Sequence, residues 1–113
     1  MSRSAAAPTV RTAAPLFAAL GDATRLRILT RLAHDGPGST AQLGVTVEVT
    51  RQAVTKHLEV LAAAGLVRSR HAGRERVWTL TPTRLRDAHV YLDHLAAQWD
   101  DALERLRAFV ESD

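Results

Sequence analysis

The chain has 113 residues, 46% of them hydrophobic and 24% charged, which suits one packed domain and leaves little room for a second. It contains no cysteine, so disulfides, thiolate metal ligation and thiol-based sensing are excluded, and it has no run of about 18 apolar residues that would cross a bilayer. The net charge of +3 is unevenly placed: residues 51–76 carry Arg51, Lys56, Arg68, Arg70, Arg74 and Arg76 against Glu59 and Glu75, whereas residues 82–113 carry four Arg against seven acids. A basic middle is where an anionic partner would be met.

Residues 1–14 hold Arg3 and Arg11 with no continuous apolar stretch between them. They read as a disordered lead-in rather than a secretory signal, and a cytoplasmic location is expected. The domain is expected over residues 15–111. Pro15 opens a short apolar helix, Leu16-Phe17-Ala18-Ala19-Leu20, closed by Gly21, since proline is tolerated at a helix start and glycine at its end. Asp22 caps a second helix by accepting from the backbone N–H of Thr24 or Arg25. Leu26, Leu29, Leu32 and Ala33, with Ile28 beside them, give that helix one broad buried face. Asp35-Gly36-Pro37-Gly38 is a turn.

Ser39 or Thr40 caps a third, short helix to about Val45, weakened by Gly44. After the link Thr46-Val47-Glu48-Val49, Thr50 caps a fourth helix that runs to Ala64 and stops at Gly65. The period then changes. Residues 66–71 and 76–80 alternate as two strands around Ala72-Gly73-Arg74-Glu75, a hairpin with a basic tip. Thr81-Pro82 starts a last helix from about Thr83 to Glu111. Its stripe of Leu85, Ala88, Leu92, Leu95, Trp99, Leu103, Leu106 and Val110 has the near-heptad spacing of a helix packed lengthwise on another. The fold class is therefore mainly α with a small β-hairpin, in the order α-α-α-α-β-β-α.

The third and fourth helices form a helix-turn-helix candidate, and the hairpin directly after them is placed as a wing. In the fourth helix Val54, Leu58, Leu61 and Ala62 face the core. Gln52, Thr55, Lys56 and Glu59 share the opposite face, with Arg51 beside them. Such side chains hydrogen-bond base edges or phosphates when a recognition helix presents its first turns to the major groove. Arg70, Arg74 and Arg76 of the wing are candidates for flanking phosphates or the minor groove. The candidate DNA-binding set is thus Thr50, Arg51, Gln52, Thr55, Lys56, His57, Arg70, Arg74 and Arg76. His57 is expected either at a phosphate or against the wing. One small domain does not easily cover the last helix's stripe. Leu16, Phe17, Leu20, Leu92, Leu95, Trp99, Leu103 and Leu106 are therefore the candidate dimer interface.

The stretch Phe17-Ala18-Ala19-Leu20-Gly21-Asp22-Ala23-Thr24-Arg25-Leu26-Arg27-Ile28-Leu29 resembles the entry to the ArsR family of winged-helix regulators. The run from Arg51 through Leu61 to Val67 resembles that family's recognition helix and exit, and Gly73-Arg74-Glu75-Arg76 with Trp78-Thr79-Leu80 resembles its wing. The resemblance covers about residues 15–110. It implies a homodimer joined through the first and last helices, a repressor on an inverted-repeat operator in double-stranded DNA, and approach to DNA by Gln52, Thr55, Lys56 and His57.

Asp87-Ala88-His89 matches the first half of the metal-ligand pattern that some members of that family carry on their last helices. Asp100 and Leu103 stand where the second half has other ligands, and the apolar Leu103 argues against a closed site. The long last helix with Trp99 instead resembles the metal-independent branch, in which the signal is often unidentified; an unidentified small-molecule or protein effector is the expectation. No metal or cofactor is expected. No triad, nucleotide loop or carboxylate pair points to an enzyme. The alternative readings are a metal-responsive repressor and a winged-helix docking module without DNA binding; the latter would more often show apolar residues at Arg51, Gln52, Thr55 and Lys56.

Overall fold

The computed structural model describes residues 8–112. The elements are α1 (Val10–Leu20), α2 (Ala23–Asp35), β1 (Gly38–Ser39), α3 (Thr40–Val47), α4 (Arg51–Ala63), β2 (Val67–Ala72), β3 (Glu75–Leu80) and α5 (Pro82–Glu111). The strands form one antiparallel sheet in the order β1-β3-β2.

Most boundaries are set by local chemistry. Asp22 accepts from the Arg25 backbone N–H at 2.9 Å. Ser39 and Gln42 make a reciprocal capping box at the start of α3, and Thr50 accepts from Ala53 N–H at 3.1 Å. At the end of α4 the Gly65 N–H reaches Ala62 O and the Leu66 N–H reaches Leu61 O, both at 2.9 Å. With Gly65 at φ 79°, this is a Schellman stop. In the hairpin, Gly73 at φ 63° begins a two-residue turn between Ala72 and Glu75, a position at which glycine has no steric cost.

The element boundaries differ from expectation in three places. The first helix starts at Val10, not Pro15, so the part of the lead-in from Val10 to Ala14 is helical; residues 1–7 lie outside the described residues. Thr9 and Thr12 cap each other's backbone there, and burial of Ala13 ahead of Leu16 and Ala19 offsets the hydrogen bond that Pro15 removes inside the helix. α3 extends to Val47 and ends at Glu48, which adopts a left-handed conformation (φ 57°, ψ 44°). β1, too short to show a period, pairs Gly38 with Trp78 and Ser39 with Val77.

The core gathers Leu16, Ala19, Ile28, Leu32, Leu43, Val54, Leu58, Leu61, Leu66, Val67, Trp78 and Ala88. Leu26, expected on the buried face of α2, is exposed. Gly44 is buried, and a Cβ there would meet Val49 O and Val54 Cγ1 at 3.4 Å. These are ordinary van der Waals distances, so the packing of α3 against α4 leaves room for a methyl group at Gly44. α5 packs on α1 through its first half, where Phe17 and Tyr91 rings lie 5.8 Å apart. Beyond it Trp99, Leu103, Leu106, Phe109 and Val110 are exposed.

Candidate nucleic-acid interface

α4 is amphipathic in the predicted sense. Val54, Leu58 and Leu61 are fully buried, while Arg51, Gln52, Lys56 and Glu59 are exposed. Thr50, Arg51, Gln52, Thr55 and Lys56 line an open concavity along its first turns. Within that set the threonine hydroxyls already act inside the helix: Thr50 is the cap, and Thr55 Oγ1 donates to Arg51 O at 2.8 Å. Arg51, Gln52 and Lys56 are therefore the long side chains offered outward.

The wing stands beside this surface. A cleft of about 230 Å³ is lined by Ser39, Thr40, Arg51, Arg74, Glu75 and Arg76, so the start of α4, the start of α3 and the wing meet at one basic recess. Register divides the wing arginines. Arg68 and Arg70 oppose Thr79 and Val77 on one face of the hairpin, and Arg76 shares the other face with Ser69 and Trp78. Arg70 and Arg74 are exposed. Arg76 is drawn back: its Nε donates to Ser69 Oγ at 3.0 Å and its Cζ lies 4.4 Å from the centre of the Trp78 ring, a cation–π contact. The sequence reading groups Arg76 with the free wing arginines, whereas in the structure it braces the sheet at the edge of the recess.

His57 is likewise placed differently. Its Nδ1 lies 3.3 Å from an Arg25 guanidinium nitrogen and 3.7 Å from Asp22 Oδ2. The Asp22 carboxyl is held below its ordinary value of 3.8 chiefly by the Arg25 backbone N–H, helped by the charges of Arg25 and His57. Sequence reasoning places Asp22 correctly as a cap but misses Arg25, whose partners are brought together only by the fold.

The apolar candidates also divide. Leu16 is fully buried in the protomer's own core, and Phe17 and Leu20 are half-buried against it. Leu16 is thus removed from the candidate interface, because α1 spends its inner face on its own domain. Leu95 is half-buried, and Leu92, Trp99, Leu103 and Leu106 are exposed. Asp87 accepts from Arg84 at 2.9 Å, and His89 Nε2 lies 3.2 Å from Asp93 Oδ2. Among the described residues no three His, Asp or Glu side chains gather where a metal ion could be held, and no helix is long and apolar enough to cross a membrane.

Comparison with known proteins agrees with this geometry. Residues 20–70 match the helix-turn-helix domain family. The HTH-type transcriptional regulator Rv2034 of Mycobacterium tuberculosis is 39% identical over 93% of this chain and 94% of its own. An ArsR-like transcriptional regulator from Rhodococcus sp. RHA1 superposes with a TM-score of 0.77 at 37% identity, over 91% of this chain and 96% of that one. The homodimeric winged helix-turn-helix domain Mb0332 of Mycobacterium bovis, at 22% identity and a TM-score of 0.61 over 85% of each chain, shares the fold.

Proposed function

The chain belongs to the ArsR family of winged helix-turn-helix regulators and is a DNA-binding transcriptional regulator; from that premise we propose that it is a repressor acting as a homodimer on an inverted-repeat operator. The observation that carries the reading is the outward first turns of α4, with Arg51, Gln52 and Lys56 exposed beside a recess that Arg74 and Arg76 line. Gln52 suits the adenine edge, and Arg51 suits guanine or a phosphate. Arg70 and Arg74 supply phosphate contacts that fix register without reading sequence.

The second copy covers the outer half of α5. Trp99, Leu103, Leu106, Phe109 and Val110 are each more than half exposed, an apolar strip larger than scattered surface residues leave. Burial at about 25 cal/mol per Å² favours pairing it with a second copy before association costs. Homodimerisation of the Mycobacterium bovis domain with this fold supports the assembly. A two-fold pair sets two copies of α4 about 34 Å apart, one turn of duplex. The proposed effector is a small molecule or a protein.

The test is footprinting on a duplex that the protein itself selects from random DNA. Gln52→Ala with Lys56→Ala abolishes the specific footprint while sedimentation still finds the dimer. A wild-type footprint from that double variant rejects α4 as the reading helix.

A further inference from the structure

Arg25 bridges α1 and α4, whose inner residues share one core. Its Nε donates to Ala19 O at 2.6 Å and a terminal nitrogen donates to Ala18 O at 3.2 Å. Both are carbonyls of the last turn of α1; Ala18 O also takes the Gly21 N–H at 3.3 Å, and the guanidinium adds donors at a helix end where carbonyls outnumber N–H groups. A cation there also meets the negative end of the helix dipole. The other terminal nitrogen lies 3.3 Å from His57 Nδ1 on α4. Since a guanidinium only donates, Nδ1 is the acceptor in this contact when the imidazole is neutral. Alongside runs a groove of about 360 Å³ lined by Pro15, Ala18 and Ala19 of α1 and by Val60 and Ala63 of α4, with Arg25 in its wall. Asp22 caps α2 through the Arg25 N–H at 2.9 Å, and the same carboxylate oxygen stands 3.7 Å from His57 Nδ1.

We propose that Arg25 is a positioning residue for DNA recognition: through His57 it fixes the orientation of α4 relative to α1, so that Gln52 and Lys56 reach bases in register. The inference rests on α4 being the reading helix. His57 follows Lys56 directly and lies one helical turn beyond Ala53, so a tether at His57 acts on the reading turns themselves. A guanidinium planted on two carbonyls is a rigid anchor, because its fork is preorganised and little freedom remains to be lost. α1 in turn rests on α5 through Phe17 and Tyr91. The tether therefore runs from the α1–α5 layer to the reading helix without touching nucleic acid.

The experiment measures affinity for the selected duplex and for random duplex across a salt series, in the full chain and in four variants. Arg25→Ala and His57→Leu each weaken the selected duplex about tenfold, and the double variant loses no more than the worse single one, since both break one link. His57→Asn, which keeps an acceptor near the Nδ1 position, stays within about threefold of wild type. Random-duplex affinity and the salt slope are unchanged, because neither residue neutralises a phosphate. Additive losses overturn the proposal, as does a salt slope lower by about one in either single variant, which marks direct phosphate contact. A loss fully accounted for by a smaller folded fraction in circular dichroism also overturns it, leaving a structural role alone. The double variant Gln52→Ala with Lys56→Ala is run alongside. If it binds the selected duplex normally, the reading-helix assignment fails; if it does not, a negative result in the Arg25 series falls on the tether only.

Discussion

The indole Nε1 of Trp78 donates to Thr40 Oγ1 at 2.9 Å across 38 positions of sequence. Trp78 is fully buried in β3 and Thr40 is the first residue of α3, so one hydrogen bond fastens the wing to the helix-turn-helix. Both groups are out of water, which makes the loss of either partner costly and the loss of both less so. Thr40→Val should destabilise the protein by about 1–3 kcal/mol by orphaning the indole N–H. Trp78→Phe should cost about 2 kcal/mol or more, with a cavity added to the lost donor. The double variant should be more stable than the sum of the two losses allows. Urea unfolding of the four proteins checks this, and strict additivity would show that the bond carries no coupling.

That bond marks the boundary of what the sequence discloses. Asp22, Ser39, Thr50, Gly65 and Gly73 act on backbone groups within a few residues of themselves, so their roles follow from local chemistry and are legible in order. The exposed first turns of α4 are legible too, because a 3.6-residue period fixes which side chains oppose Val54, Leu58 and Leu61. Trp78 with Thr40, and Arg25 with His57 across 32 positions, meet only when helices pack, and no spacing announces them. Arg76 shows the same limit. As a wing arginine it resembles Arg74, and only strand register reveals that it lies over Trp78. The start of α1 was hidden by Pro15, a helix-opening signal that here sits inside a helix capped by Thr9.

The two wing arginines should therefore behave differently. Arg74 is exposed at the turn; Arg74→Ala should weaken binding to all duplexes alike and lower the salt slope by about one unit, with unfolding unchanged. Arg76→Ala removes the contacts to Trp78 and Ser69 and should also lower stability, by about 1 kcal/mol. Salt-series titrations beside urea unfolding separate the two. A loss on Arg74→Ala confined to one operator sequence would mean that the wing reads bases.

Leu16 and Trp99 form a second contrasting pair. Leu16 is 0% exposed and Trp99 62%. Leu16→Ala should destabilise the protomer by roughly 2–5 kcal/mol through the cavity it leaves. Trp99→Ala should leave the protomer folded but shift sedimentation to monomer and lower operator affinity, because that side chain has no core of its own to support. A stable dimer after Trp99→Ala would show that the outer half of α5 is not what the two copies share.

Asp22 gives the protein an acid-sensitive joint. Its carboxyl titrates below its ordinary value of 3.8, chiefly because the Arg25 backbone N–H binds the ionised form. For a depressed carboxyl the stabilisation is complete above the unfolded-state value. It declines as pH falls below 3.8 and is gone once pH passes the lower folded value. Asp22→Asn keeps a capping oxygen but no charge, so its stability deficit should be constant at neutral pH and shrink as pH drops below that point. Because the main cause is a backbone N–H and the imidazole contributes less, most of this pH-dependent deficit should persist in a His57→Asn background. Urea unfolding between pH 2 and 7 of the four proteins measures it. A deficit that vanishes entirely with His57→Asn would reassign the joint to the Asp22–His57 ion pair.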